Sequence, residues 1–151
     1  MATNTDSARL EFRPGATAGI FRYFPLFLFV LILYVAGRYA VADPGAPFTG
    51  FGDYSVSWTE FLLLTAAVVG LLEQMKVSHP GIDNTLEALT MVAMGVVQLI
   101  LFILGVSSVA GYGMFNNALF LILTVISLAA AVTAVLINAR TLRRTIGVGD
   151  N

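Results

Sequence analysis

Four long apolar runs, separated by short polar segments, dominate this chain of 151 residues. The runs cover residues 20–41, 56–75, 85–105 and 115–139. A helix of about 20 residues is long enough to cross the hydrocarbon core of a bilayer, and each run reaches that length. The runs therefore predict four transmembrane helices.

The composition agrees with a membrane location. The chain is 58% hydrophobic and 11% charged, whereas a soluble domain averages about 25% charged residues. A net charge of −1 leaves no basic surface for nucleic acid. The absence of cysteine excludes disulfides, thiolate metal sites and a cysteine nucleophile. We expect an all-α integral membrane protein.

The basic residues predict the topology. Seven of the eight lie in the N-terminal tail, in the turn between the second and third runs, or in the C-terminal tail: Arg9, Arg13, Arg22, Lys76, Arg140, Arg143 and Arg144. Cytoplasmic loops carry an excess of Lys and Arg, so both termini are expected in the cytoplasm. The expectation is a four-transmembrane-helix antiparallel bundle, N-in/C-in, most simply in a bacterial inner (plasma) membrane.

This topology divides the chain into three parts. Residues 1–18 form a polar cytoplasmic tail, residues 19–139 form the transmembrane domain, and residues 140–151 form a basic cytoplasmic tail. An alternative interpretation of the first run is a signal peptide, because Ala40-Val41-Ala42 has the small-x-small pattern of a cleavage site. The run is long for that role and Arg38 interrupts it, which favours a retained helix.

The polar segments between the runs carry turn signals. Residues 42–56 are rich in Gly and Pro and predict an outer loop, with aromatic side chains such as Trp58 at the level of the headgroups. Ser57 and Glu60 have the spacing of a capping box at the start of the second helix. Pro80-Gly81 is expected to end that helix in the cytoplasmic turn.

Charged residues at the helix ends are the first candidates for chemistry. Arg38 and Glu60 lie at similar depth near the outer ends of the first two runs, and we expect them to pair because isolated charges there are costly. Glu73, Lys76 and Glu87 flank the cytoplasmic turn. Each set is interpreted either as a structural ion pair or cap, or as part of an ion or proton pathway.

Uncharged polar and small residues suggest interhelical contacts. Gln98 lies deepest, at about the level of Tyr34, Thr65 and Thr124, and the four predict one polar layer that either specifies packing or lines a pathway. Small residues that permit close helix packing are Ala66 and Gly70 on the second run, and Ser127, Ala131 and Ala134 on the fourth.

No catalytic, cofactor-binding or metal-binding constellation is visible in the sequence. His79 is the single histidine and lies beside a proline in a turn, so it cannot supply the paired axial ligands of a membrane haem. We expect no enzyme and no intrinsic cofactor; any lipid or pigment at the aromatic first helix would come with a partner.

Two function hypotheses follow. The first is a non-catalytic accessory subunit of a larger inner-membrane complex, respiratory, photosynthetic or transport. The alternative is a homo-oligomeric small transporter or channel with a polar path through Arg38, Glu60, Gln98 and Glu87. The partners are accordingly other membrane subunits or copies of the same chain, within the lipid bilayer.

Overall fold

The computed structural model describes residues 24–77 and 84–146. Within them, the elements in chain order are α1 (Phe27–Ala40), β1 (Pro47–Phe51), β2 (Tyr54–Ser57), α2 (Trp58–Val77), α3 (Asn84–Val106), a 3-10 turn (Gly113–Phe115) and α4 (Ala118–Ile146). The predicted tail 1–18, Arg22, the turn at His79 and Pro80, and residues 147–151 lie outside the described residues.

The helical, membrane-type character of the chain is confirmed. Three helices are long and apolar enough to cross a membrane, at Trp58–Lys76, Thr85–Val106 and Ala118–Arg140. The described α1 has 14 residues, which at 1.5 Å per residue give about 21 Å, short of a hydrocarbon core of about 30 Å. The fourth span and the orientation in the membrane stay predictions.

Successive helices run antiparallel, because the start of one helix meets the end of the next at one end of the bundle. The start of α1 meets the end of α2, where the Leu26 N–H donates to Glu73. The end of α2 meets the start of α3, where Lys76 pairs with Glu87. The start of α3 returns to the end of α4, where the Thr85 hydroxyl lies 3.4 Å from Asn138 Oδ1. The core between the helices contains Tyr34, Leu62, Ala66, Phe120 and Leu123, all buried.

The predicted outer loop contains a β-hairpin, which corrects the expectation of irregular structure throughout residues 42–56. β1 pairs antiparallel with β2, with Phe51 opposite Tyr54, and Gly52 has φ of 64°. Glycine at the first position of a two-residue loop is the preference of a type II′ turn. The hairpin was not predicted from the sequence, because its strands contain Pro47 and Gly50, and proline and glycine are uncommon in strands.

The small-residue faces are used within the chain. Ala66 on α2 and Ser127, Ala131 and Ala134 on α4 are buried, and a methyl group at Gly70 would meet Phe27 and Ile126 at van der Waals distance. The apolar side chains exposed on the long helices are larger, mostly Leu, Val and Ile. A partner would therefore meet this branched aliphatic surface rather than the small residues.

Candidate functional site

The structure joins Glu73, Lys76 and Glu87 into one group, called here the charge cluster. Glu73 and Lys76 lie one turn apart near the end of α2, and Glu87 lies in the first turn of α3. Both carboxylates are fully buried, while the Lys76 side chain is 20% exposed. The cluster is thus reached from outside at Lys76, with the acids behind it.

Glu73 fastens α2 to the beginning of α1. Its Oε1 accepts hydrogen bonds from the backbone N–H groups of Leu26 and Phe27, the latter at 3.4 Å. The first N–H groups of a helix have no partner within the helix, and a carboxylate is favoured beside them. Glu73 therefore serves α1 as a cap, whose acceptor oxygen is supplied by another helix.

Lys76 joins three segments of the chain. Its Nζ lies 2.7 Å from Glu87 Oε1 and 3.9 Å from Glu73 Oε2, and it donates a hydrogen bond of 3.0 Å to the Phe24 carbonyl. Lys76 lies in the last turn of α2 and Glu87 in the first turn of α3, so each charge also interacts favourably with its own helix dipole.

The two acids retain oxygens without hydrogen-bond donors among the described residues. These are Glu73 Oε2 and both oxygens of Glu87, of which Oε1 contacts the Lys76 ammonium without hydrogen-bond geometry. Buried polar atoms normally find partners, so a fully buried carboxylate with a free oxygen marks an unusual site.

A narrow crevice lies beside Glu73. It is lined by Pro25, Phe27, Glu73, Met91, Met94 and Ser127. It is too tight for a water-sized sphere, and all but two of its lining residues are apolar. The described structure thus offers Glu73 neither a water cavity nor room for a hydrated ion at this crevice.

Arg38 and Glu60, at the opposite end, do not form the expected pair. Arg38 is exposed in the last turn of α1, where a cation suits the helix C-terminus. Glu60 Oε2 instead accepts from the Ser57 N–H at 2.8 Å and from the Ser57 hydroxyl at 2.9 Å. The Glu60 N–H donates to Ser57 Oγ at 3.3 Å, so the predicted capping box is present and occupies the carboxylate.

The polar layer expected around Gln98 is also not formed. Thr65 and Thr124 donate to the carbonyls of Phe61 and Phe120, four residues earlier in their own helices, a common use of threonine in helices. Gln98 is 2% exposed, and its Oε1 has no hydrogen-bond partner in the described segments.

Tyr34 belongs instead to a hydrogen-bond network that joins α1 to the start of α4. Its hydroxyl donates to the Met114 carbonyl and accepts from Asn117 Nδ2 at 2.6 Å. Asn117 Oδ1 accepts from the Phe120 N–H at 3.0 Å, so Asn117 caps α4. The tyrosine ring packs on Phe120 with centroids 4.9 Å apart.

Sequence reasoning missed the backbone partners of the charge cluster. The Leu26 and Phe27 N–H groups and the Phe24 carbonyl carry no side-chain signature. The one available signal was Pro25: a helix that starts near a proline leaves several N–H groups in need of an acceptor.

The described residues contain no group of three His, Cys, Asp or Glu side chains placed to hold a metal ion. Comparison of the chain with protein-family models, with curated proteins and with solved structures gave no match.

Proposed function

We propose that this chain is a non-catalytic accessory subunit of a larger inner-membrane complex, respiratory, photosynthetic or transport, with both termini in the cytoplasm. One observation supports this over a transporter: several side chains expected to line a path are already engaged in other hydrogen bonds. Glu60 is held by Ser57, Tyr34 by Met114 and Asn117, and Thr124 by its own helix. Within residues 24–77 and 84–146, no hydrogen bond or ion pair links these three groups to the charge cluster at the other end.

The surface available to a partner is apolar. In an apolar 18-residue stretch of each of the three membrane-length helices, only 22%, 28% and 39% of the residues are buried within the chain. Between α3 and α4 lies a groove of about 230 Å³, lined by Val92, Leu128, Ala131, Val132, Val135 and Leu136. Such a groove suits the ridge of a helix from another subunit, because van der Waals packing drives helix association in a bilayer.

Purification with a tag on the C-terminus in mild detergent, followed by mass spectrometry and an absorption spectrum, tests the proposal. The expected result is foreign membrane subunits in stoichiometric amount. Val135→Trp fills the groove and should release them, whereas Leu99→Trp, at an exposed α3 position outside the groove lining, should not. A colourless self-oligomer would overturn the proposal.

A homo-oligomeric transporter or channel is the second candidate, favoured by the buried polar face of α3. Glu87 and Gln98 are both buried and both keep oxygens without hydrogen-bond partners in the described chain. Flux into liposomes would establish transport, and Glu60→Gln would test the outer part of the predicted path. Unchanged flux in that variant would exclude a relay through Glu60.

A further inference from the structure

The charge cluster does not balance if every group is ionised. Two carboxylates and one ammonium then carry a net charge of −1, with both carboxylates fully buried and only the ammonium partly exposed. Moving an uncompensated charge out of water costs several kcal/mol or more, and proteins usually avoid this by neutralising the group. One further positive charge is needed.

The groups facing Glu73 do not supply that charge. From α2 it meets Lys76, and from α1 it meets the backbone N–H groups of Leu26 and Phe27. The crevice brings Met91 and Met94 of α3 and Ser127 of α4 beside it. Among the described residues, the other charged group in the cluster is Glu87, which carries the same sign.

The distances show where the imbalance lies. Lys76 Nζ is 2.7 Å from Glu87 but 3.9 Å from Glu73 Oε2, so the ammonium is committed to Glu87. Glu73 Oε1 is satisfied by two backbone N–H groups. Glu73 Oε2 has no donor among the described residues, and of the two contacts of the Lys76 ammonium with a carboxylate, its own is the longer, at 3.9 Å.

The size of the crevice beside Glu73 decides which kind of cation could supply the missing positive charge. The crevice beside Glu73 is narrower than a water molecule and mostly apolar, and a water needs about 10–15 Å³ of accessible volume and several polar partners. A metal cation would also need several oxygen ligands. A proton needs only one acceptor oxygen, which Glu73 Oε2 offers.

We propose that the charge cluster is a proton-binding site. The two acids hold one proton between them, and that proton rests on Glu73 Oε2. Binding converts one carboxylate to a carboxylic acid, with the proton taken from water at the adjoining membrane face and returned there past Lys76. Because Glu73 caps α1 and Lys76 contacts the Phe24 carbonyl, proton binding is coupled to the attachment of α1. The inference does not depend on the accessory role.

Infrared spectroscopy of the full chain in lipid nanodiscs at neutral pH tests the proposal, through the C=O stretching band of a protonated carboxyl group. The wild type should show a band that corresponds to one buried acid. Glu73→Gln should lose it, because the remaining Glu87 and Lys76 balance. Glu87→Gln should also lose it, because Glu73 then pairs with Lys76 and ionises.

Of two further variants, one should strengthen the C=O band and the other should leave it unchanged. Lys76→Met should about double the band, because both acids must then be neutral. Glu60→Gln changes an acid outside the cluster and should leave the band as in the wild type. The emission of Trp58, the single tryptophan, shows whether each variant is folded. Glu73→Gln is expected to fold, because glutamine resembles the protonated acid in shape and charge.

A wild type without the band would overturn the proposal. Arg22→Gln and His79→Gln would then identify the balancing charge, because the band would appear when its source is removed. A band that survives both Glu73→Gln and Glu87→Gln would place the protonated acid elsewhere and would equally overturn it.

Discussion

At the cluster end of the molecule, Glu73 and Glu87 are fully buried and share one ammonium. At the hairpin end, Arg38 is exposed, and Glu60 is occupied by a cap within its own chain segment. The first arrangement joins residues from three helices, whereas the second joins neighbours three residues apart.

The comparison shows that a buried charge needs partners in the protein that an exposed charge does not need. An exposed charge keeps its water, so Arg38 needs no partner in the protein. A buried carboxylate must replace its hydration with donors and cations from several segments. The hairpin end can therefore tolerate the loss of one charge, while the cluster end depends on the one ammonium beside its two buried acids.

The largest predicted effect comes from Lys76→Met. This change leaves two buried acids with no cation, and breaking a buried pair by removing one partner typically costs about 3–5 kcal/mol. We expect a loss of that order in the free energy of unfolding at neutral pH, measured by denaturant titration in detergent with Trp58 emission as the signal. The loss should shrink in acid, because a lower pH reduces the free-energy cost of keeping both buried carboxyls protonated.

Arg38→Gln is the matched control at the hairpin end. Removal of this exposed charge should change the free energy of unfolding by less than about 0.5 kcal/mol, as is usual for surface positions. Equal losses in the two variants would contradict the contrast between the ends.

Gly37→Ala should have the next largest effect. A methyl group there would lie 2.1 Å from Trp58 Nε1, so the indole must move, and overpacking of this kind costs about 1–3 kcal/mol. A shift in Trp58 emission together with a lower melting temperature would show it. Gly70→Ala is the control, because its methyl would meet ordinary contacts of 3.7 Å and more and should be almost neutral.

Local signals in the sequence predicted local structure well. The Ser57–Glu60 spacing predicted the capping box, which is present. Gly52-Asp53 also carried a hairpin signal, but the glycines and prolines around it favoured a loop.

Relations between helices were harder to predict, because residue counting gives depth but not rotation about the helix axis. Arg38 and Glu60 were matched in depth, yet Arg38 faces outward and the two do not pair. Glu73 was expected to lie with Lys76 and Glu87, as it does. Its contact with Leu26 spans 47 positions of the chain, and Leu26 contributes only its backbone N–H. No side-chain pattern records such a contact.

The smallest predicted effect concerns the Ser57–Glu60 capping box, and it tests whether the charges at the hairpin end interact only with neighbours in the sequence. Ser57→Ala removes the hydroxyl that donates to Glu60 and accepts from its N–H, and loss of an N-cap costs about 1 kcal/mol. Glu60→Gln should cost less, because glutamine also completes a capping box and no ion pair is lost. The melting temperatures of the two variants, measured in the same detergent, decide the order. A larger loss for Glu60→Gln would mean that the negative charge itself matters at this end, and the contrast between a buried, shared charge site and a local cap would no longer hold.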